Sequence, residues 1–152
     1  MNRYVNQYRE AEVTTASREQ ILLMLYDGAI KFLNKAKVAF DSKDIEGIHN
    51  NITAAQRIIT EFQITLDMEN GGKFAEELYY LYEYLDKRLF EANIKKRTDY
   101  LDEVLRHLTE LRDTWREAIK NFKAAGHKLE DFAPEDARDV FINSEKEDSN
   151  ES

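Results

Sequence analysis

Apolar residues recur at intervals of three and four over four separate stretches of this chain. The first comprises Ile21, Leu25, Ala29, Phe32, Ala36 and Phe40, with Leu22 and Leu33 alongside. Positions three and four apart share one face of an α-helix, so the spacing predicts a helix from about Arg18 to Phe40. Ser17 followed by Gln20 forms a capping-box pattern at its start. Asp41 to Asp44 is a polar break, and Asp44 is a candidate cap for the next helix. That helix extends to about Leu66 and carries a heptad seam: Ile45, Ile48, Ile52, Ala55, Ile59, Phe62 and Leu66. Gly71-Gly72 closes a strong turn, because glycine enters left-handed backbone conformations at little cost. A third helix follows from about Phe74 to Lys95, with Leu78, Leu81, Tyr82, Leu85 and Leu89 inward. Thr98 is placed to cap a fourth, whose seam is Leu101, Leu105, Leu108, Leu111, Trp115, Ala118 and Phe122. Gly126 is placed to end it.

Long helices with short connections predict an all-α fold, an antiparallel up-down four-helix bundle. The bundle takes residues 17–126. Residues 1–16 lack helical periodicity and form an N-terminal arm that carries Tyr4 and Tyr8. Charge then separates the C-terminal end from the body. Residues 127–152 hold nine acids and three bases of a chain whose net charge is −8. The body is therefore nearly neutral, and the last 26 residues read as a disordered, solubilising acidic tail. Leu129, Phe132, Val140, Phe141 and Ile142 are the tail residues able to dock transiently.

Composition excludes several classes. An acidic chain without a basic face is not expected to bind nucleic acid. No apolar run approaches the roughly 20 residues that span a bilayer, so no membrane insertion is expected. No signal-peptide pattern follows Met1, which points to the cytoplasm. With no cysteine there is no disulfide and no thiolate metal ligand.

Candidate chemistry is sparse. A carboxylate-bridged metal pair in a bundle needs two Glu-x-x-His motifs, and Glu46 with His49 supplies one. Because Ile45 and Ile48 take the seam, Glu46 and His49 are read as an exposed pair. Gly71-Gly72 lacks the lysine and hydroxyl residue of a phosphate loop. No serine has a histidine-containing signature beside it. The expectation is no catalytic residue, no cofactor, no metal and no enzyme. A metal-dependent bundle enzyme and a self-associating structural bundle stand as the alternatives.

The chain does carry more apolar surface than a bundle core requires. Leu78-Tyr79-Tyr80-Leu81-Tyr82-Glu83-Tyr84-Leu85 cannot all face one core at 100° per residue. Tyr80 and Tyr84 share a second face, and Tyr79 borders a third. Tyrosine is enriched at interfaces because it offers large contact area for little entropy. Ile58 and Ile64 supplement a seam that is already complete, and Met24 and Tyr26 lie off the main stripe of the first helix. The physical reading is a bundle that receives apolar segments of another protein in its grooves. The arm, through Tyr4 and Tyr8, is placed to cover such a groove.

Several ordered strings carry a family resemblance. They are Thr15-Ala16-Ser17-Arg18-Glu19-Gln20, Leu23-Met24-Leu25-Tyr26-Asp27-Gly28-Ala29-Ile30, Ala55-Gln56-Arg57-Ile58-Ile59 and Leu81-Tyr82-Glu83-Tyr84-Leu85. Arg88-Leu89-Phe90-Glu91-Ala92-Asn93 and Leu111-Arg112-Asp113-Thr114-Trp115 complete the set. Together they resemble the flagellar secretion chaperone family FliS over about Tyr4 to Phe122. The resemblance implies a cytoplasmic export chaperone that binds the C-terminal segment of flagellin, prevents premature polymerisation and delivers it to the flagellar type III export apparatus. It implies contact with the export gate through an N-terminal tyrosine, Tyr8 as the best match and Tyr4 as the alternative. Other flagellar regulators and a weak homodimer are further partners that the resemblance admits. The partner-binding set is therefore Tyr4, Tyr8, Ile58, Tyr79, Tyr80 and Tyr84. Arg18 stands where the family usually has proline, and the tail after Gly126 has no counterpart in the resemblance.

Overall fold

The computed structural model describes residues 18–143. Four helices follow one another: α1 (Arg18–Asp41), α2 (Ile45–Thr65), α3 (Gly72–Lys95) and α4 (Thr98–Ala124). Each packs on its two neighbours, with α4 closing the ring against α1. Cross-helix pairs give the directions. Asp27 and Lys37 of α1 pair with Arg112 at 3.0 Å and Asp102 at 2.9 Å of α4. Rising numbers on one helix meet falling numbers on the other, so α1 and α4 are antiparallel.

Between α2 and α3 the register is marked by polar rungs one heptad apart. His49 Nδ1 meets Asn93 Nδ2 at 3.0 Å, the Gln56 amide donates to the Asp86 carboxylate at 3.2 Å, and the Gln63 amide donates to the Tyr79 carbonyl at 3.2 Å. These rungs flank the apolar seam, and a one-residue slip would break all of them. Partial burial lifts the Asp86 carboxyl above the usual carboxylate range, and the Gln56 hydrogen bond opposes that lift.

The turns follow from their residues. The Asp44 carboxylate accepts from the Gly47 N–H at 3.0 Å and caps α2. A Cβ at Gly47 would press on that carboxylate, so a side chain there would have to shift the cap. Of the two adjacent glycines, only Gly72 is left-handed, at φ +55, whereas Gly71 caps α3 in a right-handed conformation. Thr98 does not cap α4: Arg97 holds that position, with no side-chain cap bond. Gly126, at φ +91, follows the end of α4. Ser17 and the arm, with Tyr4 and Tyr8, lie outside the described residues.

The core is centred on a buried polar triad. The Tyr26 and Tyr82 hydroxyls are 2.5 Å apart, and the Trp115 indole N–H donates to the Tyr26 oxygen at 3.0 Å. Phe62 stacks on Tyr26 at 4.3 Å between ring centroids and tilts against Tyr82 at 5.3 Å. All four helices therefore meet at one aromatic node. Tyr26, expected off the stripe, is fully buried because its ring fills the centre and its hydroxyl has partners there.

Three further expectations are corrected. Ile45, placed on the seam, is 60% exposed, because the first residue of α2 lies at the bundle's end. Ile58, read as surplus, is 1% exposed. Helix α2 packs on both α1 and α3 and so buries a broader arc than one seam, and within that arc Ile58 faces Gly28 of α1. The tail reading is corrected over its described part. Leu129–Asp131 and Pro134–Ala137 form 3₁₀ turns, residues 138–143 continue as helix, and Phe132, Val140 and Phe141 pack on the core.

The triad makes two checkable statements. Tyr26→Phe takes a partner from both the Tyr82 hydroxyl and the Trp115 N–H, whereas Tyr82→Phe takes one only from the Tyr26 hydroxyl, which keeps the indole N–H. A buried polar group left short of a partner costs up to about 1–3 kcal/mol, so Tyr26→Phe is expected to lower the urea midpoint more than Tyr82→Phe, at unchanged slope. Burial also raises both phenol pKa values, that of Tyr82 to about 12 and that of Tyr26 well above its ordinary value. The folded state thus keeps protons that the unfolded chain releases near pH 10. The resulting stability is complete below about pH 10 and falls as pH rises toward about 12. Urea unfolding measured across that interval should show the decline, and the Tyr26→Phe/Tyr82→Phe pair should flatten it.

Candidate partner-binding surface

Helix α3 spends its inner face on Phe74, Leu78, Tyr82, Leu85 and Leu89, all buried. Its outer face still carries large apolar side chains. Tyr79 and Tyr80 are exposed, with rings edge to face at 5.8 Å. Phe90 lies roughly three turns beyond Tyr79, on the same side of the helix. Ile94 follows Phe90 by a further turn. Phe90 is 59% exposed and Ile94 66%. Glu83 and Lys87 sit between the two apolar groups and pair at 4.0 Å. Exposed Ile64 of α2 adjoins the Tyr79 end, next to Gln63, whose amide holds the Tyr79 carbonyl. The result is an apolar stripe roughly 22 Å long, interrupted by one ion pair.

Tyr84 faces the other way, toward α4, and takes part in a polar clasp. Its hydroxyl donates to Glu103 at 2.5 Å and accepts from Arg88 Nε at 3.1 Å. Arg88 also pairs with Glu103 at 3.0 Å and Glu91 at 3.2 Å, and its guanidinium lies 4.4 Å from the Tyr100 ring centroid. The Tyr84 hydrogen bond, followed by these carboxylates, raises the Arg88 pKa, so the guanidinium remains a fixed cation. This clasp joins α3 to α4.

The structure thus separates the candidate residues. Tyr79 and Tyr80 are on the outer stripe, Tyr84 is exposed but held in the clasp, and Ile58 is inside. Tyr4 and Tyr8 lie outside the described residues. Phe90, Ile94 and Ile64 complete the stripe. The first two were legible in principle, since positions 90 and 94 fall on the wheel face opposite Leu78, Leu85 and Leu89.

Catalytic chemistry finds no such assembly. Exposed His49 bonds Asn93, and exposed Glu46 lies in the first turn of α2. Among the described residues no three His, Asp or Glu side chains converge in a way that could hold a metal ion. No helix there is long and apolar enough to cross a membrane.

A sequence model of the flagellar protein FliS matches residues 1–122. The chain belongs to the FliS family. Its curated relatives carry the name flagellar secretion chaperone FliS. The one from Bacillus subtilis strain 168 is 35% identical over 120 residues, covering 79% of this chain and 89% of the relative. The one from Campylobacter jejuni is 33% identical over 116 residues, 76% of this chain and 91% of the relative. The Salmonella typhimurium relative is 31% identical over 109 residues, 71% and 81% of the respective chains. FliS is a family of chaperones, not of enzymes, and its membership agrees with an all-α bundle that presents apolar surface. The match stops at Phe122, so the segment that docks after Gly126 lies outside it.

Stability distinguishes surface from core here. Tyr80→Ala is expected to change unfolding free energy by no more than about 0.5 kcal/mol, as for exposed sites. Ile58→Ala should cost about 2–5 kcal/mol, as for a packed core isoleucine. Chemical denaturation of the two variants measures both.

Proposed function

We propose that this protein is a cytoplasmic export chaperone that binds the C-terminal segment of flagellin. It keeps that segment from polymerising and delivers it to the flagellar type III export apparatus. The observation that carries this reading is the stripe of Tyr79, Tyr80, Phe90 and Ile94 on a helix whose core face is already complete. An amphipathic segment laid along α3 buries those side chains and leaves its own polar face in water. The ion pair of Glu83 and Lys87 adds polar contacts in the middle of the stripe. Tyr8, or Tyr4, contacts the export gate from the arm. Membership of a family of flagellar secretion chaperones supports the export role. The near-neutral body supports close approach of a client, because the excess charge resides in residues 127–152.

Calorimetry with a peptide from a flagellin C-terminus tests the reading. Binding is expected at roughly tens of micromolar or tighter, with a negative heat-capacity change from apolar burial. Phe90→Asp and Ile94→Asp should each weaken it by about tenfold or more, since charge on the stripe must be desolvated. Full-strength binding by both variants places the client elsewhere, and absence of heat with the intact protein defeats the proposal.

A further inference from the structure

Beyond the region shared with the family, the chain folds back onto α1, α3 and α4. Local chemistry builds the returning segment. Pro134 opens a turn with its φ already set, and the Asp136 carboxylate accepts from the Ala133 N–H at 2.7 Å. Ala137 is fully buried, and Val140 and Phe141 follow it on the same face at three and four residues. Asp136, Arg138 and Asp139 point to water. The segment is a short amphipathic turn with aromatic anchors.

Its seat is centred on Trp115. The Phe141 ring lies 5.0 Å from Trp115 and 5.5 Å from Phe74. On the other side Phe132 lies 6.3 Å from Trp115 and 5.3 Å from Phe122. The segment does not cover its seat completely. An open cleft of about 730 Å³ lies beside it, lined by Phe74, Leu78, Leu111 and Phe141 and also by the charged Lys73, Glu77 and Arg138. A second open cleft, of about 420 Å³, runs between Phe132 and Pro134 on one side and Leu22, Leu25 and Phe62 on the other, with Arg18 and Glu19 also in its lining.

We propose that this seat is a groove for an amphipathic client segment, and that residues 129–143 occupy it as an intramolecular competitor. The proposal rests on the client-binding reading above and extends it: besides the outer stripe of α3, the client enters this seat between α3 and α4, where it must displace the segment. The seat belongs to the shared bundle, whereas the occupant belongs only to the extension. The occupant displays the pattern the groove accepts: aromatic or aliphatic anchors one helical turn apart with a polar outer face. Tethering gives it a high effective concentration. A client that fills the clefts gains contacts the latch does not make. The latch, once displaced, is solvated by the acids of residues 127–152. Such competition lowers apparent affinity by the fraction of molecules with the groove open.

The test uses the full chain and its Phe132→Ala/Phe141→Ala variant, each titrated with a tryptophan-free peptide from a flagellin C-terminus. Circular dichroism checks that the variant remains helical. Emission from Trp115, the only tryptophan, should move to longer wavelength in the unliganded variant as the latch opens. The variant should then bind about tenfold tighter, as for a latch closed about nine-tenths of the time. Amide hydrogen exchange in residues 134–143 of the unaltered protein should accelerate when peptide binds. That measurement decides alone if the variant fails to fold. Equal affinities with unchanged exchange overturn the latch and leave the client reading intact. Failure of both proteins to bind removes the client reading and the latch with it.

Discussion

The Tyr26–Tyr82–Trp115 contact constrains everything around it. Three polar groups from α1, α3 and α4 are withdrawn from water at the centre of an apolar core. Their hydrogen bonds satisfy one another only if the three helices hold a single relative height, and the stack of Phe62 on Tyr26 fixes α2 to the same level. An all-aliphatic seam would tolerate sliding by a turn, because one leucine replaces another. Here a slide leaves a buried hydroxyl or indole N–H without a partner. The heptad-spaced rungs between α2 and α3 enforce the same level from the edge of the interface.

That fixed level also determines what faces outward. With Tyr82 committed to the triad, Leu78, Leu85 and Leu89 align inward, and Tyr79, Tyr80, Phe90 and Ile94 are left on the outer side of α3. Rotating the helix to hide them would pull Tyr82 out of the core. The Arg88 clasp adds a second restraint, since its bonds to Tyr84, Glu91 and Glu103 lock α3 to α4. The exposed stripe is thus a consequence of core geometry. An exposed apolar stripe carries a cost in self-association, which the ion pair of Glu83 and Lys87 in its middle reduces.

Helix positions were legible in the sequence because local residues decide them: Asp44 for its cap, Gly72 for its left-handed turn, and the intervals of three and four for each face. The buried residues were misplaced for a geometric reason. Periodicity ranks residues against a single stripe, but each helix of a closed ring packs on two neighbours and buries a broader arc. Ile58 falls inside that arc, facing Gly28 of α1. Tyr26 has its hydrogen-bond partners at positions 82 and 115, too far along the chain for any local pattern to couple them. Ile45 failed in the opposite sense: its spacing suited the seam, but the bundle had ended beneath it. On the binding surface, Tyr79 and Tyr80 were legible from crowding alone, whereas Phe90 and Ile94 required the wheel to be carried two turns further.

The C-terminal extension shows how charge and packing divide one segment. Its composition is that of a solvated tail, yet Phe132, Ala137, Val140 and Phe141 lie at intervals that place them on one side of a compact turn. Composition averages over a window and so conceals this spacing. Acidic residues lie on the outer side and aromatic residues on the inner side, so the segment meets water with one face and the bundle with the other. The aromatic contacts to Trp115 hold it against the bundle, and an open cleft remains beside Phe74 and Leu78. The same indole completes the core triad through its N–H and offers its ring edge to the extension. Trp115 therefore links the interaction that sets the fold to the segment that lies outside the family's shared length.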